Sequence, residues 1–277
     1  MIEIRLLRPA DIAFATSLTD VEEWGHMAAD FERLIDLDPA GCFIAWENTE
    51  RVGIATTISY DEFAFLGNVI VKKGKRGRNI GPALMEHALG YLEKRSTRTI
   101  ELDGVMPAVA MYHYLGFKDK YQSLRFARRP KEKHHSARQL GSCPGPVAIS
   151  LFDCEMTGIR RKRLIEKLTN EFPDSIFCID GSHLRAYAIV RERANGTVAM
   201  GPIVAEDAVV FAELLSVILH RFSARTITIG IPEVNAEGVK VLLNNGFTDC
   251  APSMRMYRGS IINYEEHVFG IASADVG

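Results

Sequence analysis

The chain has 277 residues, which suggests about two domains. With 47% apolar and 25% charged residues it reads as an ordinary folded protein, and a formal charge of −2 excludes the basic character of a general nucleic-acid binder. No run approaches the ~20 apolar residues of a membrane span.

Five cysteines (Cys42, Cys143, Cys154, Cys178, Cys250) are scattered without a C-x-x-C pair. They predict reduced thiols in a cytoplasmic protein, and the N-terminal M-I-E-I-R-L-L-R-P has no apolar core of signal-peptide length. In chain order, alternation predicts a strand over 2–6, and Asp11 caps a helix running to Leu18. A second helix, about 27–35, places Met27, Phe31, Leu34 and Ile35 on one face. Strands follow over 42–46, 52–60 and 63–71, the last ending in the β-branched run Val69, Ile70, Val71.

Next comes K-K-G-K-R-G-R-N, and then an apolar-periodic helix from near Gly81. A strand, a basic glycine-containing turn and a helix N-terminus together form a phosphate-binding arrangement. The first N–H groups of a helix lack internal partners, the dipole is positive there, and glycine lets a ligand approach the backbone. Lys72, Lys73, Lys75, Arg76 and Arg78 raise the potential further. A strand over 99–102, a short helix over 107–114 ending at Gly116, and a strand over 124–127 close this half.

Arg78-x-x-Gly81-x-Ala83 matches the R/Q-x-x-G-x-G/A signature of the GNAT superfamily of acyl-CoA N-acyltransferases. The element order β-α-α-β-β-β-α-β-α-β-β resembles that family, as does the closing Tyr112-x-x-x-Gly116-Phe117 segment. The resemblance covers roughly 1–128. It implies direct transfer of an acetyl or other acyl group from CoA to an amine, without a metal. Val69, Ile70 and Val71 then offer backbone contacts to the pantetheine arm. Arg76, Gly77, Arg78, Asn79, Ile80, Gly81, Pro82 and Ala83 cradle the pyrophosphate of acetyl-CoA, and Tyr112 protonates the leaving sulfur. For the general base Asp61, Glu62, Glu101 and Asp103 stand as candidates. Asp103, at the carboxyl end of its strand, is the one to test. Trp24 and Met27, with His26 and Phe31 nearby, fall where the family binds its acceptor.

Residues 131–146, polar, basic and rich in Pro and Gly, form a linker between a domain over 1–130 and another over 147–277. Its adjacent His134 and His135 are read as solvated rather than metal-binding. The second half repeats the first: Arg98-Thr99-Ile100 recurs as Arg225-Thr226-Ile227, Gly116-Phe117 as Gly246-Phe247, and L-R-F-A-R (124–128) as M-R-M-Y-R (254–258). Strands are predicted near 149–152, 176–179, 185–191, 197–200 and 226–229, with helices near 160–172, 207–221 and 235–245; 261–277 shows no period. Gly81 then falls opposite about Ala208, so Glu206 and Asp207 occupy the place of the phosphate loop. Val239 or Leu242 replaces Tyr112. The fold class is therefore α/β (α+β) with two tandem GNAT-like units, each a mixed, mostly antiparallel sheet flanked by helices. The second resembles a degenerate, YitH-like half. The expected partner is a small-molecule amine, with no nucleic acid or membrane, and a homodimer is compatible with the resemblance. A protein N-acetyltransferase and a non-catalytic acyl-CoA sensor are the alternatives.

Overall fold

The computed structural model describes residues 1–131 and 143–277, so His134 and His135 lie outside the described residues. By contacts the chain divides into two compact units. The first comprises Met1–Lys120, Arg255–Ile261 and Ala274–Gly277, and the second comprises Tyr121–Met254 and Ile262–Ser273. These units interleave in sequence, unlike the contiguous domains expected over 1–130 and 147–277.

In the first unit β1 (Ile2–Leu6), β2 (Cys42–Glu47), β3 (Glu50–Tyr60), β4 (Phe63–Val71) and β5 (Thr99–Gly104) lie in that order. All pair antiparallel except β4 with β5. The next strand of this sheet is the end of β11 (Thr248–Gly259), not the strand that follows β5 in sequence. Arg255 of β11 explains the arrangement, since β5 carries the buried carboxylates of Glu101 and Asp103, Arg255 pairs with both (3.2 and 2.9 Å), and Lys120 supplies the second positive charge at Glu101. Helices α1 (Ile12–Val21), α2 (Ala28–Leu37), α3 (Ile80–Lys94) and α4 (Val109–Tyr114) complete the unit. The α3 stripe of Ile80, Leu84, Ala88 and Leu92 is buried at the i, i+4 spacing of an amphipathic helix.

The second unit contains β6 (Lys118–Arg128) from Tyr121 onward, β7 (Ile176–Asp180), β8 (Leu184–Glu192), β9 (Val198–Ala205), β10 (Ile227–Pro232) and β12 (Val268–Gly270). Their order is β6-β10-β9-β8-β7, with β12 also on β9. Helices α5 (Pro146–Thr157), α6 (Lys162–Glu171), α7 (Ala208–Arg221) and α8 (Ala236–Asn244) flank them. Phe211, Leu214, Leu215 and Ile218 of α7 pack into a core with Val190, Met200 and Ile203.

Three expectations are corrected. Residues 149–152 belong to helix α5, not a strand: Pro146 opens it and Ile149, Asp153 and Thr157 are buried at i, i+4 spacing, a pattern a four-residue window cannot separate from a strand. Strand β9 runs on to Ala205, past the expected end at 200, so of the stretch set opposite the phosphate loop only Glu206 and Asp207 lie outside strand and helix. Finally, Cys143 and Cys178 form a disulfide across a separation of 35 residues, leaving Cys42, Cys154 and Cys250 as thiols. Sequence spacing alone carries no signal for such a long-range pair. Among the described residues no helix is long and apolar enough to cross a membrane.

Candidate active site

Strands β4 and β5 run parallel, but their pairing covers only Phe63–Phe65 against Thr99–Glu101. Beyond it β4 carries a bulge. The β3 register steps from Thr56↔Gly67 to Ile54↔Ile70, and Asn68 takes a left-handed φ of 51° while its amide donates to Thr56 Oγ1 (3.1 Å). A bulge bends its strand. Here it sits where β4 leaves β5, and Val69, Ile70 and Val71 form the strand edge beyond it. Ile70 is buried and paired with Ile54, and the Val71 carbonyl accepts from Arg76 Nε (3.0 Å).

The segment from Lys72 to Asn79 joins β4 to α3. Gly77 (φ 76°) and Asn79 (φ 58°) are both left-handed, and Asn79 makes no side-chain cap. Such alternation turns successive N–H groups to one side, a concavity that suits an anion. Among the described residues the N–H groups of Gly77, Arg78, Asn79, Ile80 and Gly81 have no hydrogen-bond partner. Two members of the predicted cradle do not contribute in this way. Pro82 has no N–H, and that of Ala83 already donates to the Asn79 carbonyl (3.1 Å). Gly81 is not demanded by packing, because a Cβ there would meet only Met111 Sδ at 3.6 Å and Val71 Cγ2 at 3.8 Å.

The basic side chains are largely neutralised. Lys75 pairs with Glu47 and Glu50 (2.6 and 2.7 Å), Lys72 with Glu50 (2.6 Å), Arg78 with Glu47 (3.2 Å) and Arg76 with Glu22 (2.5 Å). Hydrogen bonds from Lys72 and Lys75 pull the Glu50 carboxyl down to about 2. Apart from the half-buried Lys75–Glu47 contact, these are solvent-facing pairs of small net energy, which an incoming phosphate can displace. The loop therefore presents backbone donors first and releasable cations second.

Tyr112, in α4, is 5% exposed and packs edge-on against Phe117 at 6.1 Å between centroids. Its ring covers Gly104 at the end of β5, where a Cβ would stand 2.8 Å from Tyr112 Cε2. Burial pushes the phenol up to about 12, so it stays protonated at neutral pH. Of the four acids, Asp61 and Glu62 precede β4 at the end where it is still paired with β5. Asp103, expected as a base, has both oxygens bound by Arg255 (2.9 Å each) and is buried. Glu101 is held by Lys120 (2.7 Å) and Arg255. A carboxylate engaged by a guanidinium on both oxygens is an anchor for β11 rather than a proton acceptor.

Trp24 and Met27 lie half-buried on the loop between α1 and α2, where Met27 N–H donates to Asp30 Oδ2 (2.8 Å). Phe31 is fully buried core. His26, which the sequence places in the same acceptor region, is also buried. Only the structure shows what its ring faces.

The second unit repeats this geometry without its openings. Strand β9 pairs parallel with β10 over Val198–Met200 only, and the β8–β9 register then shifts between Ala188 and Val190. There the gap is filled: β12 pairs with β9 (Val268↔Val204, Gly270↔Ile203) and Ile271 N–H donates to Gly230 O on β10 (2.8 Å). Only Glu206 and Asp207 separate β9 from α7, and Asp207 caps the N–H groups of Val209 and Val210 (2.8 Å each). Glu206 is tied to Arg185 and His183. Leu242 takes the place of Tyr112: Phe117 N–H donates to Tyr112 O, and Phe247 N–H donates to Leu242 O.

Two family models match the chain: the Acetyltransferase (GNAT) family over residues 12–117 and an Acetyltransferase (GNAT) domain over residues 149–270. The chain belongs to the GNAT acetyltransferases, with two such units in tandem, and is an acyltransferase. It is similar to holothin acyltransferase of Pseudoalteromonas sp. (strain SANK 73390), at 26% identity over 262 residues, 92% of this chain and 88% of that one. In fold it resembles a structure from Pyrococcus horikoshii assigned to the acetyltransferases (TM-score 0.83, 24% identity, 100% of this chain and 96% of that one). It also resembles a tandem GNAT protein from the clavulanic acid biosynthesis pathway (TM-score 0.64, 14% identity, 95% and 100%).

Proposed function

We propose that the first unit transfers an acetyl group directly from acetyl-CoA to a primary amine of a small molecule or amino acid, and that the second unit binds no CoA. The observation that carries this is the bare start of α3, with donors from Gly77 to Gly81 beside the point where β4 leaves β5. The N–H groups receive the pyrophosphate, while Arg76 and Arg78 exchange their glutamate partners for phosphate oxygens. The β4 edge from Val69 to Val71 directs the pantetheine arm into the gap. Attack of the amine on the thioester carbonyl expels a thiolate, and the buried Tyr112 phenol donates the proton it needs. Holothin acyltransferase is named for holothin rather than for a protein, which supports a small-molecule acceptor.

Calorimetric titration of acetyl-CoA into wild type and an Arg78→Ala, Gly81→Glu double variant tests the cofactor half. One site in wild type, lost in the variant, is expected. Two sites, or none, would overturn it. Acetylation assays on small amines against peptides then test the acceptor half, with faster transfer to small amines expected.

A further inference from the structure

The mechanism above leaves the ammonium proton of the acceptor without a destination. We propose that His26, oriented by Asp275, takes that proton; the inference rests on the amine-acylation reading. His26 is 4% exposed, and neither ring nitrogen has a hydrogen-bond partner among the described residues. Its ring is near those of Trp24 and Phe31 (6.2 and 5.9 Å between centroids), tilted against each. Nε2 stands 3.7 Å from Asp275 Oδ2, an ion-pair distance rather than a hydrogen bond. The backbone of Asp275 packs on Gly67, whose Cβ would lie 2.5 Å from Asp275 Cα. Gly67 is the residue before the Asn68 bulge, so Asp275 is brought to the place where β4 leaves β5.

A buried imidazole with neither ring nitrogen hydrogen-bonded costs folding energy, which points to a ligand as the partner Nδ1 meets in use. The carboxylate beside Nε2 favours the proton on that atom and leaves the Nδ1 lone pair as the base. Nδ1 takes one proton from the ammonium, and the resulting imidazolium faces Asp275. The nitrogen lone pair forms the C–N bond, and the C–S electron pair leaves with sulfur, which takes the Tyr112 proton. A second nitrogen proton restores the phenol, and the His26 proton passes to water. Amide, thiol and one solvent proton result. Reaching Nδ1 requires a shift of the loop over 22–27, which carries left-handed Glu23 and Gly25 and is held to the phosphate loop by Glu22–Arg76.

The test is a series of acceptors from alkylamines, protonated at neutral pH, to aromatic amines, which are not. It is run on wild type, His26→Gln and Asp275→Asn with acetyl-CoA affinity measured alongside. With unchanged affinity, His26→Gln should lower kcat about 100-fold or more for alkylamines and only about threefold for aromatic amines, because the latter need no deprotonation before attack. Asp275→Asn should show the same trend at about tenfold. A loss equal for all amines, or a rise in KM alone, overturns the proposal. If His26→Gln does not fold, the Asp275→Asn series decides. Wild type that binds acetyl-CoA yet acylates no amine overturns the parent reading and this one with it, whereas active wild type with a flat series overturns this one alone.

Discussion

Two places in this molecule have the same backbone plan and opposite contents. At β4/β5 and at β9/β10 a parallel pair holds for three residues and then parts beside a register shift. In the first unit the gap is followed by a long basic loop and an uncapped helix, and the tail packs across the face of β4 at Gly67. In the second, β12 fills the gap and Asp207 caps the helix. A parted sheet is therefore not by itself a site. What distinguishes the first is backbone donors left unsatisfied by the protein, which in the second Asp207 satisfies.

The strongest way to disturb the filled gap is Gly201→Ala. A Cβ there would stand 2.0 Å from the Ile271 carbonyl, on a residue at φ 154°. Backbone strain and overpacking together predict a loss of about 3 kcal/mol or more, read as a lower denaturant midpoint, with acetyl-CoA affinity of the first unit unchanged. Next in size is Tyr112→Phe, expected to lower kcat about 100-fold with little change in acetyl-CoA affinity. Ionisation of Tyr112, held up to about 12 by burial, should not limit the rate below about pH 11. Its effect on stability appears only above about pH 10, where an unfolded phenol ionises and the buried one cannot, so stability falls as pH rises toward 12. Alkaline denaturation curves of wild type and Tyr112→Phe check the sign: the variant should lose less.

The sequence makes the cofactor side of this site legible because it is built from consecutive residues. Val69 to Ala83 carry strand, turn and helix start in one window, and Tyr112 to Phe117 lie within another. Asp207 was readable for the same reason, as an acid directly before a helix. The acid–base side was not legible. Asp103 looks like a base until Arg255, 152 residues away, is seen on both its oxygens. His26 looks like core until Asp275 appears beside it. The start of α5 fits a strand as well as a helix because a short apolar run suits either period, and the tail shows no period because its partners are distant in sequence.

A subtler probe is Gly81→Ala. Replacing a helical glycine should stabilise the fold by about 0.5–1 kcal/mol, since the new methyl makes only ordinary contacts with Met111 and Val71. Acetyl-CoA affinity should fall about tenfold, because that methyl occupies the ground next to the exposed N–H groups. Opposite signs in a thermal melt and a titration would show that the glycine serves the ligand. A loss of both would mean that packing requires it.

The smallest effect expected is from Asp207→Ala, and it bears most directly on the comparison. The side chain satisfies two N–H groups at the start of α7, so its removal should cost about 1 kcal/mol of stability. If the carboxylate alone kept CoA out of the second unit, the variant would gain a second acetyl-CoA site. The structure predicts that it will not. Strand β12 still fills the gap between β9 and β10, and with only Glu206 and Asp207 between β9 and α7 there is no loop to wrap a pyrophosphate. A stoichiometry that stays at one, with a modestly lowered midpoint, would establish that loss of binding here is built into the backbone. A second site would place it in one side chain.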